Sequence, residues 1–339
     1  MGSVGRAAAP GRSLFYRMGP DPLHSLLAFL DLRSLLRLDS AATNKDEREG
    51  VWLPALRKIS NAPFVKKLED WRYRHRWLDA FRWMILKDIA LPSKLMFPSH
   101  INLSSALALL DDCTTAHNVL EIFIFGDETT NLITTADLMH LRKCSHLNTL
   151  GFNSLDFSKI DWRELKTNSW SCFATVKTVE LYLCSLSKQT LLGIRYFLSI
   201  EHLLIYDSPD FDDVSLALIS ALENLTHLTL QESFFKCSED AFVLLQNMPR
   251  LKYLKLQGAH SIDEALKAFK TYPALESLHI EECIDFTDAT ATHLSALTSL
   301  TSLQLSNGKE ALPGLSNLTR LVHLDLSYND MAGAELRHL

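Results

Sequence analysis

Between Val119 and the C-terminus the chain repeats one short phrase nine times: apolar, two residues of any kind, apolar, one residue, apolar. Five copies are clear: Leu225, Leu228 and Leu230; Leu251, Leu254 and Leu256; Leu275, Leu278 and Ile280; Leu300, Leu303 and Leu305; Leu321, Leu324 and Leu326. Looser copies start at Val119, Leu147, Val176 and Ile200. The starts lie 28, 29, 24, 25, 26, 24, 25 and 21 residues apart, a period typical of repeat architectures. Within a copy the last two apolar residues, such as Leu278 and Ile280, bracket an outward residue, here His279. That alternation is the period of a short strand with one buried face. Such a unit cannot bury its apolar face alone, so stacked neighbours must cover it. The expected product is a solenoid with a long exposed strand surface, which favours recognition over catalysis.

The segment after each strand reads as a helix. Behind Ile280 the apolar series Ala291, Leu294, Leu297 and Leu300 has helical spacing, and Thr287 or Asp288 can accept a free backbone N–H at its start. Asp212 and Asp213, Ser238 and Glu239, and Ser261 and Asp263 stand at the same point of other units. Pro249 and Pro273 lie just before the next strand, where they stop the helix. Several large aliphatics per coil, at about 1.5–3 kcal/mol each, offset ordering entropy only when neighbouring coils cover both faces. The last unit, 321–339, stops partway into its helical half without a polar cap, which is the expected look of a fragment or of an end covered by a partner.

The run from Cys283 through Phe286, Thr287 and Asp288, with Leu294, Leu297 and Leu300 behind it, resembles the cysteine-containing class of leucine-rich repeats. In that family a Cys holds the turn after the strand and a Thr-Asp pair opens the helix. Cys184 holds the same turn in its unit, whereas Asp127, Leu155, Ser208, Ser233, Ala259, Gly308 and Asn329 fill the slot elsewhere. The final unit, ending in Asn329, looks more like the generic asparagine type. The resemblance implies an α/β fold, a right-handed leucine-rich-repeat horseshoe.

Composition is ordinary for a soluble globular chain, 47% apolar and 22% charged, and no apolar run reaches the roughly 18 residues that span a bilayer. The six cysteines, at 113, 144, 172, 184, 237 and 283, are scattered, which suits reduced thiols in a cytoplasmic or nuclear protein. The net charge of −6 conceals an asymmetry: residues 57–100 balance at +6 and residues 101–339 at −13. Phosphate binding depends on cationic neutralisation, so an acidic solenoid argues against nucleic acid and for a protein partner. Arg6, Arg12 and Arg17, with no acid in the first twenty residues, faintly resemble a mitochondrial presequence, but Pro10 and Gly11 interrupt any amphipathic helix there. Gly2 is a poor myristoylation site because Arg6 stands where Ser or Thr belongs. Residues 1–20 are expected to be a disordered tail.

Ahead of the repeats, Pro22, Leu23, Leu26, Leu27 and Leu30 mark one short amphipathic helix, and Leu35, Leu36 and Leu38 a second, with 31–34 as the corner. A third element holds Val51, Trp52, Leu53 and Leu56. Order and spacing resemble an F-box over residues 21–58. That family pairs with cysteine-type repeats, and the resemblance implies that Pro22, Leu26, Leu27, Leu30, Leu35 and Leu36 dock a Skp-type adaptor. The chain departs from the pattern in two places: Asp21, not Leu, precedes Pro22, and residues 41–45 lack the usual Val-Cys/Ser stretch before the Trp. The alternative is a helical cap that only shields the first repeat. Residues 59–100 are expected to form a basic, aromatic helical linker or cap, and 101–339 about nine repeats with the C-terminal cap missing. In that linker Trp71, Arg72, Tyr73, Arg74, His75, Arg76, Trp77, Arg82 and Trp83 admit two readings. They form either a base-stacking, phosphate-binding patch or an amphipathic helix that turns Leu68, Trp71, Leu78, Phe81 and Ile85 inward and its arginines outward.

No glycine-rich phosphate loop, nucleophile elbow or zinc-protease motif occurs. Asp207, Asp210, Asp212 and Asp213 resemble a calcium loop but lack its central Gly and terminal Glu, so no metal or cofactor is expected. The outward strand positions are the candidate site: Phe125, Tyr182, His202, Leu204, Tyr206, His227, Tyr253 and His279. Rigidly presented aromatics are the residues that anchor interfaces. Phe125, Tyr182 and Tyr206 should share one column, interrupted by Asn153; His202, His227 and His323 should share another. Phe123 and Phe125 serve equally as anchors or as packing under the N-terminal helices. The expected function is non-enzymatic protein recognition. In its sharper form this is a substrate receptor of a cullin-type ubiquitin ligase; the alternatives are a scaffold or inhibitor with no ubiquitin role, or a chain with a catalytic domain beyond Leu339.

Overall fold

The computed structural model describes residues 77–127, 131–167, 173–232, 237–258, 262–269, 274–283, 286–306 and 308–329, together with Leu38, Trp52, Pro54 and Ala55. The strands are β1 (Lys94–Phe97), β2 (Glu121–Phe125), β3 (Leu132–Thr134), β4 (Thr149–Asn153), β5 (Asp156–Lys159), β6 (Thr178–Tyr182), β7 (His202–Tyr206), β8 (His227–Gln231), β9 (Tyr253–Gln257), β10 (Ser277–Glu281), β11 (Ser302–Leu305) and β12 (His323–Asp325). Among the described residues, ten of them form one sheet in chain order, and β3 and β5 pair separately. Every pairing is parallel, and from β6 to β9 each strand matches the next residue for residue. The apolar phrase explains the register: Leu203, Leu228, Leu254 and Leu278 form one buried row, and Ile205, Leu230, Leu256 and Ile280 the next.

Helix α1 (Trp77–Leu86) precedes β1, and the other α-helices lie between strands: α2 (Leu103–Ala108), α3 (Thr135–Met139), α4 (Trp162–Thr167), α5 (Lys188–Ile194), α6 (Asp213–Ile219), α7 (Asp263–Phe269) and α8 (Asp288–Leu294). Helices about 10 Å across and strands about 4.8 Å apart cannot stack in a straight column, so the coil curves with the sheet on its inner side. The expected caps are present at two helices. Asp212 accepts from the Ser215 N–H at 2.8 Å, and Thr287 and Thr290 form a reciprocal capping box. Ser238 does not cap its helix: its N–H and hydroxyl both donate to the Asp213 carboxylate of the preceding coil, at 2.7 and 2.8 Å. The segment it opens, Glu239–Asn247, winds as a 3-10 helix, as does Lys309–Asn317.

In some coils the slot in the turn after the strand holds a side chain that bonds back to strand carbonyls. The Cys184 thiol donates to the Tyr182 and Phe152 carbonyls, and the Cys283 thiol to those of Glu281 and Leu256. Asn329 does this more fully, its amide donating to the Leu305 and Leu326 carbonyls while its oxygen accepts from the Gly308 N–H at 2.8 Å. The Tyr182 and Glu281 carbonyls also accept the Ser154 and Gly258 backbone N–H groups of the preceding coil, so each thiol adds a second bond at a carbonyl already engaged between coils. The residue before the slot turns through the left-handed region in coil after coil: Ser154, Leu183, Asp207, Glu232, Gly258, Glu282 and Tyr328. Gly258 is the one glycine among them.

The structure corrects two expectations at the N-terminal side. The sheet begins at Lys94 inside a stretch read as helical, because Leu91 and Leu95 are one residue further apart than the phrase allows while Leu95 and Phe97 keep the strand alternation. Helix α1 exists, but it buries Trp77, Ala80, Phe81, Trp83 and Met84, leaving Leu78 and Ile85 at its edge. The rings of Trp77, Phe81 and Phe97 lie 4.9–5.7 Å apart, and this aromatic contact sets the helix's rotation. Arg82 is exposed, as expected. Residues 66–76 and the adaptor-docking set Pro22, Leu26, Leu27, Leu30, Leu35 and Leu36 lie outside the described residues.

Candidate partner-binding face

Because strand residues alternate, the first, third and fifth positions of each strand face away from the helices. Phe125, Asn153, Tyr182 and Tyr206 do share one column. The Tyr182 and Tyr206 rings stack at 4.3 Å and 3° from parallel, each half-buried. Tyr182 donates its hydroxyl to Glu180 at 3.1 Å. Burial raises the Tyr182 pKa, with the Glu180 carboxylate adding to the rise, and burial raises that of Glu180 against the pull of the same hydrogen bond.

A second run crosses the next coils. His202 lies 4.2 Å from His227, His227 is 5.4 Å from Tyr253, and Tyr253 is 4.9 Å from His279, centroid to centroid. His279 stands at a third position, two residues along from the column of the others, and reaches Tyr253 diagonally. His323 shares the column of His202 and His227, but Tyr253, Ser277 and Ser302 intervene. The expected histidine column is therefore broken, and the ring run is built by tyrosine instead. Burial lowers the pKa of His227, with His202 adding to the effect, and burial followed by the Lys255 charge lowers that of His279. Leu204 sits half-buried between the two runs, and Lys255 pairs with Glu281 at 2.7 Å.

A cavity of about 290 Å³ opens at the aromatic end, lined by Lys94, Phe123, Phe125, Asn153, Glu180 and Tyr182. Its floor depends on Gly151, over which the Phe123 ring lies; a Cβ there would overlap that ring. Lys94 holds its ammonium 4.4 Å from the Phe123 centroid and 3.5 Å from Glu121. Phe123 and Phe125 are thus half-exposed on this face rather than covered among the described residues. Lys94 escaped the sequence reading because β1 lacks the phrase. Gly151 carried the available signal, since a strand glycine marks a close approach. Among the described residues no group of three or more His, Cys, Asp or Glu could hold a metal ion, and no helix is long and apolar enough to cross a membrane.

No family model matches the chain, and no curated protein matches it in sequence. Solved structures do match in shape. The TLR13 chain of a TLR13–ssRNA13 complex superposes with a TM-score of 0.51 at 17% identity, over 79% of this chain. The chain spans 37% of that TLR13 chain's length. The leucine-rich repeat-containing protein LegL7 from Legionella pneumophila superposes with a TM-score of 0.50 at 14% identity, over 76% of this chain and 93% of its own. The fold is a leucine-rich repeat solenoid. At these identities the likeness concerns the fold alone.

Proposed function

We propose that the protein is a non-enzymatic recognition module whose inner strand face holds a protein partner. The observation that carries this reading is the pair of ring runs, Tyr182–Tyr206 and His202–His227–Tyr253–His279, held half-exposed on paired parallel strands. Rings already fixed by their neighbours lose little side-chain entropy when a partner covers them. Aromatic residues placed in this way dominate interface energy. TLR13 is in complex with ssRNA13, but residues 101–339 here balance at −13, which favours a protein over a polyanion.

The test is a Tyr182→Ala/Tyr206→Ala variant in a pulldown with quantitative mass spectrometry, beside the parent chain. Partners of the inner face should drop out of the variant's capture while its circular dichroism stays unchanged. An identical partner list for both proteins would sink the reading.

The finer form of the proposal is an F-box-like substrate receptor. In it Pro22, Leu26, Leu27, Leu30, Leu35 and Leu36 dock a Skp-type adaptor of a cullin ubiquitin ligase while the inner face holds the substrate. Its support is the sequence pattern at residues 21–58. Co-purification with a Skp-type adaptor, lost in a Leu26→Asp/Leu30→Asp control, is the expected result. Failure of a folded parent chain to capture the adaptor would leave a scaffold or inhibitor whose N-terminal helices cap the stack.

A further inference from the structure

The coils are not equal in length, and the inequality cuts a notch on the outer side of the solenoid. The phrase starts at Val119, Leu147, Val176 and Ile200, so two coils of 28 and 29 residues are followed by one of 24. The extra residues of the long coils form the β3–β5 pair, which continues into the short coil as one isolated bridge, Asp156 to Ser185, and then stops. Where it stops, a concavity of about 940 Å³ opens, lined by residues at the start of α4 and along and beyond α5. Its floor is Trp162, 8% exposed, whose ring lies against Gly193 of α5. The Trp162 indole N–H is buried without a hydrogen-bond partner.

Two properties of the lining point to an occupant. Leu192 and Leu198 are 38% and 71% exposed, an apolar edge that no described residue covers. Lys159, Arg163 and Arg195 line the same notch, and no carboxylate among the described residues forms an ion pair with any of them. The one carboxylate of the lining, Asp161, is occupied in accepting the Arg163 and Glu164 backbone N–H groups at 2.9 and 3.2 Å. A net cationic notch on a repeat region that balances at −13 is a local reversal of field, and it selects an occupant of opposite sign.

We propose that this notch docks an acidic, amphipathic segment of a protein partner, its carboxylates facing Lys159, Arg163 and Arg195 and its apolar side chains covering Leu192 and Leu198. The volume exceeds what a single small anion fills, and the mixture of exposed leucine with cations matches a segment carrying both kinds of side chain. This surface lies on the opposite side of the coil from the ring runs and does not rest on the function proposed for them.

The test is a selection of random displayed peptides on the full chain, followed by titration of the enriched peptides against three variants. Arg163→Glu/Arg195→Glu reverses the charge, Leu192→Ser/Leu198→Ser removes the apolar edge, and Tyr182→Ala/Tyr206→Ala controls for the inner face. All positions are exposed or half-exposed, and circular dichroism verifies each fold. Enriched peptides should combine Asp or Glu with Leu or aromatic residues at helical spacing. They should lose about tenfold or more in affinity on each notch variant, bind the inner-face variant unchanged, and weaken with added salt. Enrichment of basic peptides, peptides that bind the charge-reversed variant equally well, loss confined to the inner-face variant, or no enrichment at all would overturn the proposal.

Discussion

Gly193→Ala sets two physical effects against each other with opposite signs. Gly193 lies in α5, where alanine is favoured over glycine by about 1 kcal/mol on helix propensity alone. The position has no positive φ that would exclude a side chain. Its Cβ, however, would fall inside van der Waals contact with three atoms of the Trp162 ring. That ring is 8% exposed and lies 6.5 Å from Phe157, so it cannot retreat without opening the packing between two coils. Overpacking of this kind costs about 1–3 kcal/mol, and a shift that exposes part of a tryptophan, at about 25 cal/mol per Å², adds to it. The net expectation is a loss of about 1–2 kcal/mol. Urea denaturation followed by circular dichroism measures it, with tryptophan fluorescence reporting the ring's displacement as a red shift. Trp162→Leu should relieve the overlap, so that Gly193→Ala becomes neutral or stabilising in that background, a coupling a double-mutant cycle isolates. A Gly193→Ala protein as stable as its parent with unchanged fluorescence would refute the reasoning, and so would equal costs in both backgrounds.

Leu183→Gly should stabilise the chain by about 0.5–1 kcal/mol in the same assay, since Leu183 is 52% exposed and holds a left-handed turn at φ 51° that costs a branched side chain more than glycine's added freedom. Acidification below about pH 6.5 should destabilise the fold. His227 and His279 have pKa values below the ordinary 6.5, so the unfolded chain takes up protons first and stability is lost as pH falls from 6.5 towards the folded values. A His227→Gln/His279→Gln variant should show a flatter stability profile across that window, and an unchanged profile would contradict the assignment. Cys184, whose thiol burial pushes up to about 11, and Cys237, which burial and then the Asp213 carboxylate push up to about 12, should resist a thiol reagent at pH 8 in the folded chain and label at the rate of unfolding. Immediate labelling of Cys184 would show that its turn is not closed. Asp212→Ala removes the acceptor for the Ser215 N–H and should cost about 1 kcal/mol.

Much of the fold was legible because the stack is quasi-one-dimensional. Each coil touches only its neighbours, so a phrase of three apolar residues repeated at a near-constant interval specifies the buried rows, the outward columns and the in-register parallel pairing. Phe125, Tyr182 and Tyr206 could be placed in one column by counting alone, and so could the turn positions of Cys184 and Cys283. Counting stops working where a contact depends on coil length or on which partner a polar group chooses. Ser238 has the spacing of a cap, yet it serves Asp213 of the preceding coil; the Asp213 carboxylate came within reach only after stacking. The first strand lacks the phrase by one residue and is recruited by the edge of β2. The diagonal from Tyr253 to His279 joins side chains at different strand positions, a neighbourhood set by ring size rather than by period. The notch at Trp162 has the same origin: the unequal intervals were visible in the sequence, but the void they leave exists only once a long coil is stacked on a short one. Local periodicity is thus a property of the chain, whereas mismatch between neighbouring coils is a property of their contact.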